Sequence, residues 1–114
     1  LGDLRGVYRY GNFLLPMDEA LVLCAVDLSG RGYLGWQMEL PTEKVGTFDT
    51  ELAEEFWIAF SRNCGATLHC QQMAGRNSHH ILEAAFKGMG RALRQAVAIE
   101  PGRENEIPST KGIL

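Results

Sequence analysis

Residues 47–73 read TFDTELAEEFWIAFSRNCGATLHCQQM, and the fold turns on where this stretch changes rhythm. Its first part is helical. Asp49 or Thr50 can cap the start, and Glu51, Glu54 and Glu55 load the early turns, where the helix macrodipole favours negative charge. Leu52, Phe56, Ala59 and Phe60 recur at helical spacing, and Gly65 supplies the stop. Directly after it, Ala66–Met73 reads as a strand.

Working outward from there completes the order of elements. Upstream, Val7–Asp18 carries aromatic and branched residues with breakers at Gly11 and Pro16, so a short, irregular strand is expected. Ala20–Gly30 is a compact apolar run ended by Ser-Gly, which suits a central strand buried on both faces. Gly32–Leu40 alternates imperfectly after the link at Gly30 and Arg31, and the two runs look like a hairpin. Pro41 closes that unit. Downstream, Asn77 or Ser78 caps a long helix with an apolar stripe of Leu82, Ala85, Phe86, Met89, Leu93, Ala96 and Val97, ending near Ile99. The order is strand, strand, strand, helix, strand, helix. It predicts an α+β protein, a two-layer sandwich with one sheet and helices on one face. Residues 1–114 form one domain, and the Gly/Pro-punctuated stretch 101–114 is a polar tail without regular structure.

Composition narrows the class. The chain has 114 residues, 46% hydrophobic and 22% charged, with a net charge of -3. That is the balance of a globular protein able to bury a core. The acidic surplus argues against a general nucleic-acid binder. Cys24, Cys64 and Cys70 are odd in number and form no C-x-x-C, which fits reduced thiols in a cytoplasmic protein better than disulfides or a structural zinc site. No apolar stretch approaches the roughly 20 residues needed to span a bilayer. The start, LGDLRG, has neither signal-peptide character nor an initiator Met, so the chain is expected to open inside something longer.

The chemistry concentrates in NSHHILEAAFKG, residues 77–88. Neighbouring residues on a helix differ by about 100° in direction, whereas residues three or four apart share a face. Glu83 can therefore join His79 or His80, while the two rings splay. One ion bound by both rings is awkward; two ions, each taking one ring, is the easier geometry. Imidazole with carboxylate suits Mn, Fe, Co or Zn. The helix dipole is expected to disfavour imidazolium and keep the rings neutral. The plainer reading is a polar helix start with surface histidines. Further ligands would have to come from elsewhere, Glu55 and His69 being candidates, although His69 is better explained by a structural hydrogen bond.

The basic positions each have a plain account too. Lys87 stands four residues after Glu83, a helix ion pair worth about 0.2–0.5 kcal/mol. Arg31 is a hairpin-tip charge, Arg9 lies in RYG, and Lys111 is on the tail. The stretch Ser109-Thr110-Lys111-Gly112 combines hydroxyl, ammonium and glycine into a plausible anion cradle. It lacks the upstream glycine of a Walker loop.

Taken together, LGDLRGVYRYG, PMDEA, DLSGR, VGTFDTEL, TLH, GRNSHHILEAAFK, RALRQA and IPSTKGIL resemble the imidazoleglycerol-phosphate dehydratase family. They run in family order over nearly the whole chain. The resemblance implies an internally duplicated unit, whose fold is shared with a ribosomal protein domain, and this sequence looks like the second half. The family's first half would bring a second histidine pair with its glutamate and an acid–base glutamate.

The resemblance further implies a dimanganese site with His79, His80 and Glu83 as ligands, and Glu55 at a position that is a histidine ligand in some members. His69 would not be a ligand. Arg9, Arg31, Lys87, Ser109, Thr110 and Lys111 would hold the substrate, chiefly its phosphate. The implied reaction is redox-neutral loss of water from imidazoleglycerol phosphate, giving imidazoleacetol phosphate in histidine biosynthesis. The ions would serve as Lewis acids and template in a large symmetric homo-oligomer with sites between subunits. Two other classes compete: a non-catalytic metal- or RNA-binding module of the same fold, and a metal-dependent hydrolase.

Overall fold

A computed structural model describes residues 6–42, 44–46 and 48–102. In chain order the elements are β1 (Tyr10–Met17), β2 (Ala20–Asp27), β3 (Tyr33–Gln37), β4 (Lys44–Val45), β5 (Phe48–Asp49), α1 (Glu51–Cys64), β6 (Thr67–Ala74) and α2 (Ser78–Val97). Strands β1, β2, β6 and β3 form one sheet in that spatial order, with both helices on one face, so the α+β two-layer class holds. A small β4–β5 pair, which the sequence did not reveal, precedes α1. Among the described residues no helix is long and apolar enough to cross a membrane.

The expected hairpin between the second and third strands does not form. Strand β6 lies between them, antiparallel to β2 and parallel to β3. The turn after β2 is tied to β6 instead: the Ser29 and Thr67 hydroxyls are 3.0 Å apart, and Thr67 Oγ1 donates to the Arg31 carbonyl at 3.1 Å. The chain is thereby carried across the end of β6 before it enters β3. The hairpin partner of β2 is β1, joined through Asp18 and Glu19.

Strand β1 is also regular over eight residues, not short and broken. Pro16 is tolerated because β1 is an edge strand, where a missing N–H need cost no ladder bond. Gly11 is present because α2 lies directly on it. A Cβ added at Gly11 would meet the Ala92 carbonyl oxygen at 1.9 Å.

The core lies between the sheet and α2. Ala20, Val22, Cys24 and Val26 of β2, with Leu68 and Cys70 of β6, face Ile81, Ala84, Ala85, Met89, Ala92 and Ala96. Burying a side chain the size of Val, Leu, Ile or Met contributes roughly 1.5–3 kcal/mol. The small residues on α2 let its backbone approach the strands closely. Strand β2 is buried on this face alone; Leu21, Leu23, Ala25 and Asp27 on the other are only half-buried, contrary to the two-sided burial expected.

Helix α1 is rotated from its expected face. It buries Ala53, Trp57 and Ser61, whereas Leu52 and Phe56 are 49% and 50% exposed. Phe56, Trp57, Phe60 and Phe86 form one aromatic group across the two helices, with Phe56 and Phe86 centroids 5.7 Å apart. On α2 likewise, Leu82, Ala85, Met89 and Ala96 are buried as expected, but Phe86 and Val97 are exposed.

Candidate metal and anion site

Helix α2 begins where the β1–β2 turn meets it. Asn77 has extended φ and ψ, and its side-chain oxygen accepts the His80 N–H at 3.1 Å. Glu19, in the turn, accepts the backbone N–H groups of Arg76 and Asn77, both at 2.8 Å. The same carboxylate lies 2.6 Å from His80 Nδ1. These contacts, the Arg76 N–H foremost, draw the Glu19 carboxyl down to about 2. Asp18 beside it adopts a positive φ of 51°, and its carboxylate lies 3.4 Å from His80 Nε2.

The sequence led us to expect neutral rings under the helix dipole. In the protein His80 is shifted the other way. Its hydrogen bond to Glu19 raises its pKa, aided by the nearby charges of Asp18 and Glu83. A full negative charge at hydrogen-bond distance outweighs the fractional charge of a helix end.

His79 takes the neighbouring direction. Its Nε2 lies 3.1 Å from Glu83 Oε1, and Lys87 Nζ lies 2.9 Å from Glu83 Oε2. Lys87 holds the Glu83 carboxyl below its usual range. The expected i, i+4 relations of Glu83 with both His79 and Lys87 are therefore present. The two imidazole centroids are 6.2 Å apart at 64°. They turn to different carboxylates, His79 to Glu83 and His80 to Glu19. The splay expected of adjacent helix positions is thus real.

The other candidate residues are spread over the molecule. Glu55 stands exposed in the second turn of α1. Arg9 hydrogen-bonds through its backbone N–H to the Ala96 carbonyl, at the far end of α2. That is about 24 Å along the helix from His80 at 1.5 Å per residue. Arg31 lies at the same end as Arg9, in the turn after β2. His69 is on the opposite face of the sheet, where its ring meets Tyr33 at 5.8 Å; among the described residues it makes no structural hydrogen bond of the kind expected of it. Ser109, Thr110 and Lys111 lie outside the described residues. Among the described residues no three His, Cys, Asp or Glu side chains converge as a metal cluster.

Asp18 and Glu19 went unnoticed as site residues in the sequence. The available signal was the acidic pair closing a strand run in PMDEA. Seeing its meaning required knowing that β1 and β2 pair, which carries that turn to the start of α2.

Comparison with known proteins bears on this arrangement in two ways. The fold is that of one half of a duplicated α+β protein. The imidazoleglycerol-phosphate dehydratase structure from Staphylococcus aureus superposes with a TM-score of 0.84 at 47% identity, over 86% of this chain and 58% of that one. The structure of the Pyrococcus furiosus protein gives 0.82 at 42% identity, over 95% of this chain and 58% of that one.

In sequence, residues 1–93 match the imidazoleglycerol-phosphate dehydratase family, and the chain belongs to it. The protein of that name from Ruegeria pomeroyi is 61% identical over 114 residues, and that from Moorella thermoacetica 60%. The match spans all of this chain and 58% of the length of each of these two relatives.

Proposed function

We propose that this chain supplies part of a metal-dependent hydro-lyase that converts imidazoleglycerol phosphate to imidazoleacetol phosphate in histidine biosynthesis. Membership of the family supports this reading. The observation that carries it is the start of α2, where each of two splayed imidazoles is served by its own carboxylate: His79 by Glu83, His80 by Glu19.

The donor set fits a divalent cation. A histidine that gives Nδ1–H to a carboxylate is fixed in the tautomer whose Nε2 carries a free lone pair, the outer-shell partnership typical of metal-binding histidines. Nε2 of His80 then faces a cleft of about 410 Å³ lined with Asp18, Glu19, Arg76 and Asn77. A cation held there would stand where the imidazolium carries its Nε2 proton, beside Asp18, while the Nδ1–H stays with Glu19. His79, His80, Glu83 and Glu55 would hold manganese, two ions per site, the remaining ligands coming from a matching N-terminal half or from neighbouring chains. Such ions supply Lewis acidity toward the substrate imidazole.

The residues of this chain do the rest of its share. Glu19 orients His80. Glu83 must divide its oxygens between His79 and Lys87. Arg9, Arg31, Lys87, Ser109, Thr110 and Lys111 bind the substrate, mainly its phosphate, so that remote binding energy fixes the reacting carbons in place. The reaction removes a proton from one carbon and hydroxide from its neighbour, and the resulting enol becomes the ketone. The acid–base glutamate is expected from the N-terminal half. Because Arg9 and His80 are about 24 Å apart along α2, they do not serve one small substrate molecule. A complete site therefore joins residues of different subunits in a homo-oligomer. The free thiols suit a cytoplasmic location.

The test is metal content and turnover of the full-length gene product. Manganese should co-purify, chelation should abolish formation of imidazoleacetol phosphate, and added manganese should restore it. A His79→Asn/His80→Asn variant should lose both the ion and the turnover. Metal-replete full-length protein that leaves the substrate unchanged would refute the reading, and release of inorganic phosphate would favour a hydrolase.

A further inference from the structure

Arg9 is held in a conformation imposed by its surroundings. Its φ of 76° lies in the left-handed region, which few residues with side chains enter. Such strain persists only where neighbours over-determine it, and it gathers at functional positions. Among the described residues, four contacts hold Arg9 there. Its N–H donates to the Ala96 carbonyl and its own carbonyl accepts the Leu28 N–H, both at 3.0 Å. Its Nε donates to Asp27 Oδ1 at 2.8 Å. Its guanidinium lies over the Tyr10 ring, 5.0 Å from the centroid.

The choice of nitrogen is informative. A guanidinium has five N–H donors, four of them on the two terminal nitrogens. Asp27 takes Nε alone, and among the described residues the terminal nitrogens have no hydrogen-bond partner. Arg31 is fixed at the same end of the sheet, in the turn after β2. Its N–H donates to Ser29 Oγ at 3.1 Å, and its carbonyl accepts from Thr67 Oγ1 at 3.1 Å. Its guanidinium too has no partner among the described residues. Two arginines thus stand at one end of the sheet with nine donors, four and five, that have no partner among the described residues, in a chain of net charge -3.

We propose that Asp27 is a positioning residue: by gripping Nε of Arg9 it turns the terminal nitrogens of that guanidinium, at the end of the sheet that also carries Arg31, toward a phosphate monoester dianion. This rests on the reading above that Arg9 and Arg31 hold the substrate phosphate. Bidentate arginine–phosphate recognition depends on the plane of the fork, so an anchored Nε matters more than an added positive charge would. The two effects of Asp27 have opposite signs. Its negative charge, taken alone, weakens anion binding; its hold on the fork strengthens it. Removing the charge while keeping the shape tells which dominates.

The experiment uses the full-length enzyme carrying Asp27→Asn, Arg9→Gln, or both, with KM, kcat and competitive inhibition by inorganic phosphate measured for each. Asp27→Asn should raise KM and the phosphate inhibition constant about tenfold, the scale of one charge-assisted hydrogen bond, with kcat within about twofold. The double variant should be no worse than Arg9→Gln. Asp27→Glu, which keeps the charge but moves it by a methylene, should raise KM less than Asp27→Asn does, and it carries the comparison if the asparagine variant melts below the assay temperature. A fall in KM on Asp27→Asn, an unchanged KM in both Asp27 variants, or strict additivity with Arg9→Gln overturns the proposal while leaving Arg9 as an anion ligand. If Arg9→Gln itself alters neither KM nor phosphate inhibition, the underlying reading fails, and the proposal fails with it.

Discussion

Glu19 shows how much one side chain can organise. It joins a hairpin turn to a helix start by accepting two backbone N–H groups, and it fixes the ring of His80. Its carboxyl lies at about 2 in the folded protein against an ordinary 4.5, so the folded state favours the ionised form. That contribution is complete above about 4.5 and is lost as pH falls toward 2. His80 is raised above its ordinary 6.5, so its share is present below 6.5 and disappears as pH rises through the folded value. In the metal-free protein, thermal melts of Glu19→Gln against wild type should therefore show the widest gap between about 4.5 and 6.5, closing toward pH 2. A gap that does not change with pH counts against this account. Asn77→Ala should cost about 1 kcal/mol in urea unfolding, the usual loss of a helix cap. At this scale the sequence was most legible where partners are near in the chain. The pairing of His79 with Glu83 and of Glu83 with Lys87 follows from helical spacing. The carboxylate 2.6 Å from His80 comes from 61 residues away, and spacing carries no information about it.

Helix α2 and strand β1 meet with almost no side chain between them at one point. A methyl at Gly11 would stand 1.9 Å from the Ala92 carbonyl oxygen, and one at Gly88 would stand 2.8 Å from Cys24 Sγ. Gly11→Ala should destabilise the protein by about 1–3 kcal/mol in urea unfolding, toward the upper end, because a helix carbonyl has no rotamer into which to retreat. Gly88→Ala should cost less, since the Cys24 thiol can turn. The same feature explains a partial misreading of the sequence. Gly11 and Pro16 look like strand breakers, yet one is the seat of a helix and the other sits on a sheet edge. Helices, strands and their order could be read from periodicity. The pairing of β2 could not, because the choice between β3 and β6 rests on contacts made by Ser29 and Thr67 across 38 residues. The face of α1 was misjudged for a related reason: Leu52 and Phe56 have the spacing of a core stripe but point away from this sheet.

Among the described residues, two groups of candidates lie at opposite ends, while Glu55 on α1 and His69 on the far face of the sheet stand apart. His79, His80 and their acids gather at the start of α2, Arg9 lies at its finish, and Arg31 stands at the same end of the sheet as Arg9. If complete sites form between copies, two full-length variants, each too impaired to turn over dilute substrate alone, should repair each other. Co-expression of Arg9→Gln with His79→Asn/His80→Asn should recover about a quarter of wild-type activity under random assembly, since one pairing in four unites an intact arginine end with an intact histidine end. Assays of co-purified mixed oligomers would reveal it, and no recovery would mean that both ends are needed from the same copy.

The place of β6 at the middle of the sheet has a further bearing on how the protein is made. On the ribosome, β1, β2 and β3 are delivered before β6, so β3 gains its neighbour only when residue 74 has followed. At 5–20 residues per second, the 37 residues between the ends of β3 and β6 take about two to seven seconds to synthesise. Throughout that interval the β1–β2 hairpin offers an open, apolar edge, so the nascent chain passes through a stage in which another polypeptide can occupy the slot meant for its own later segment.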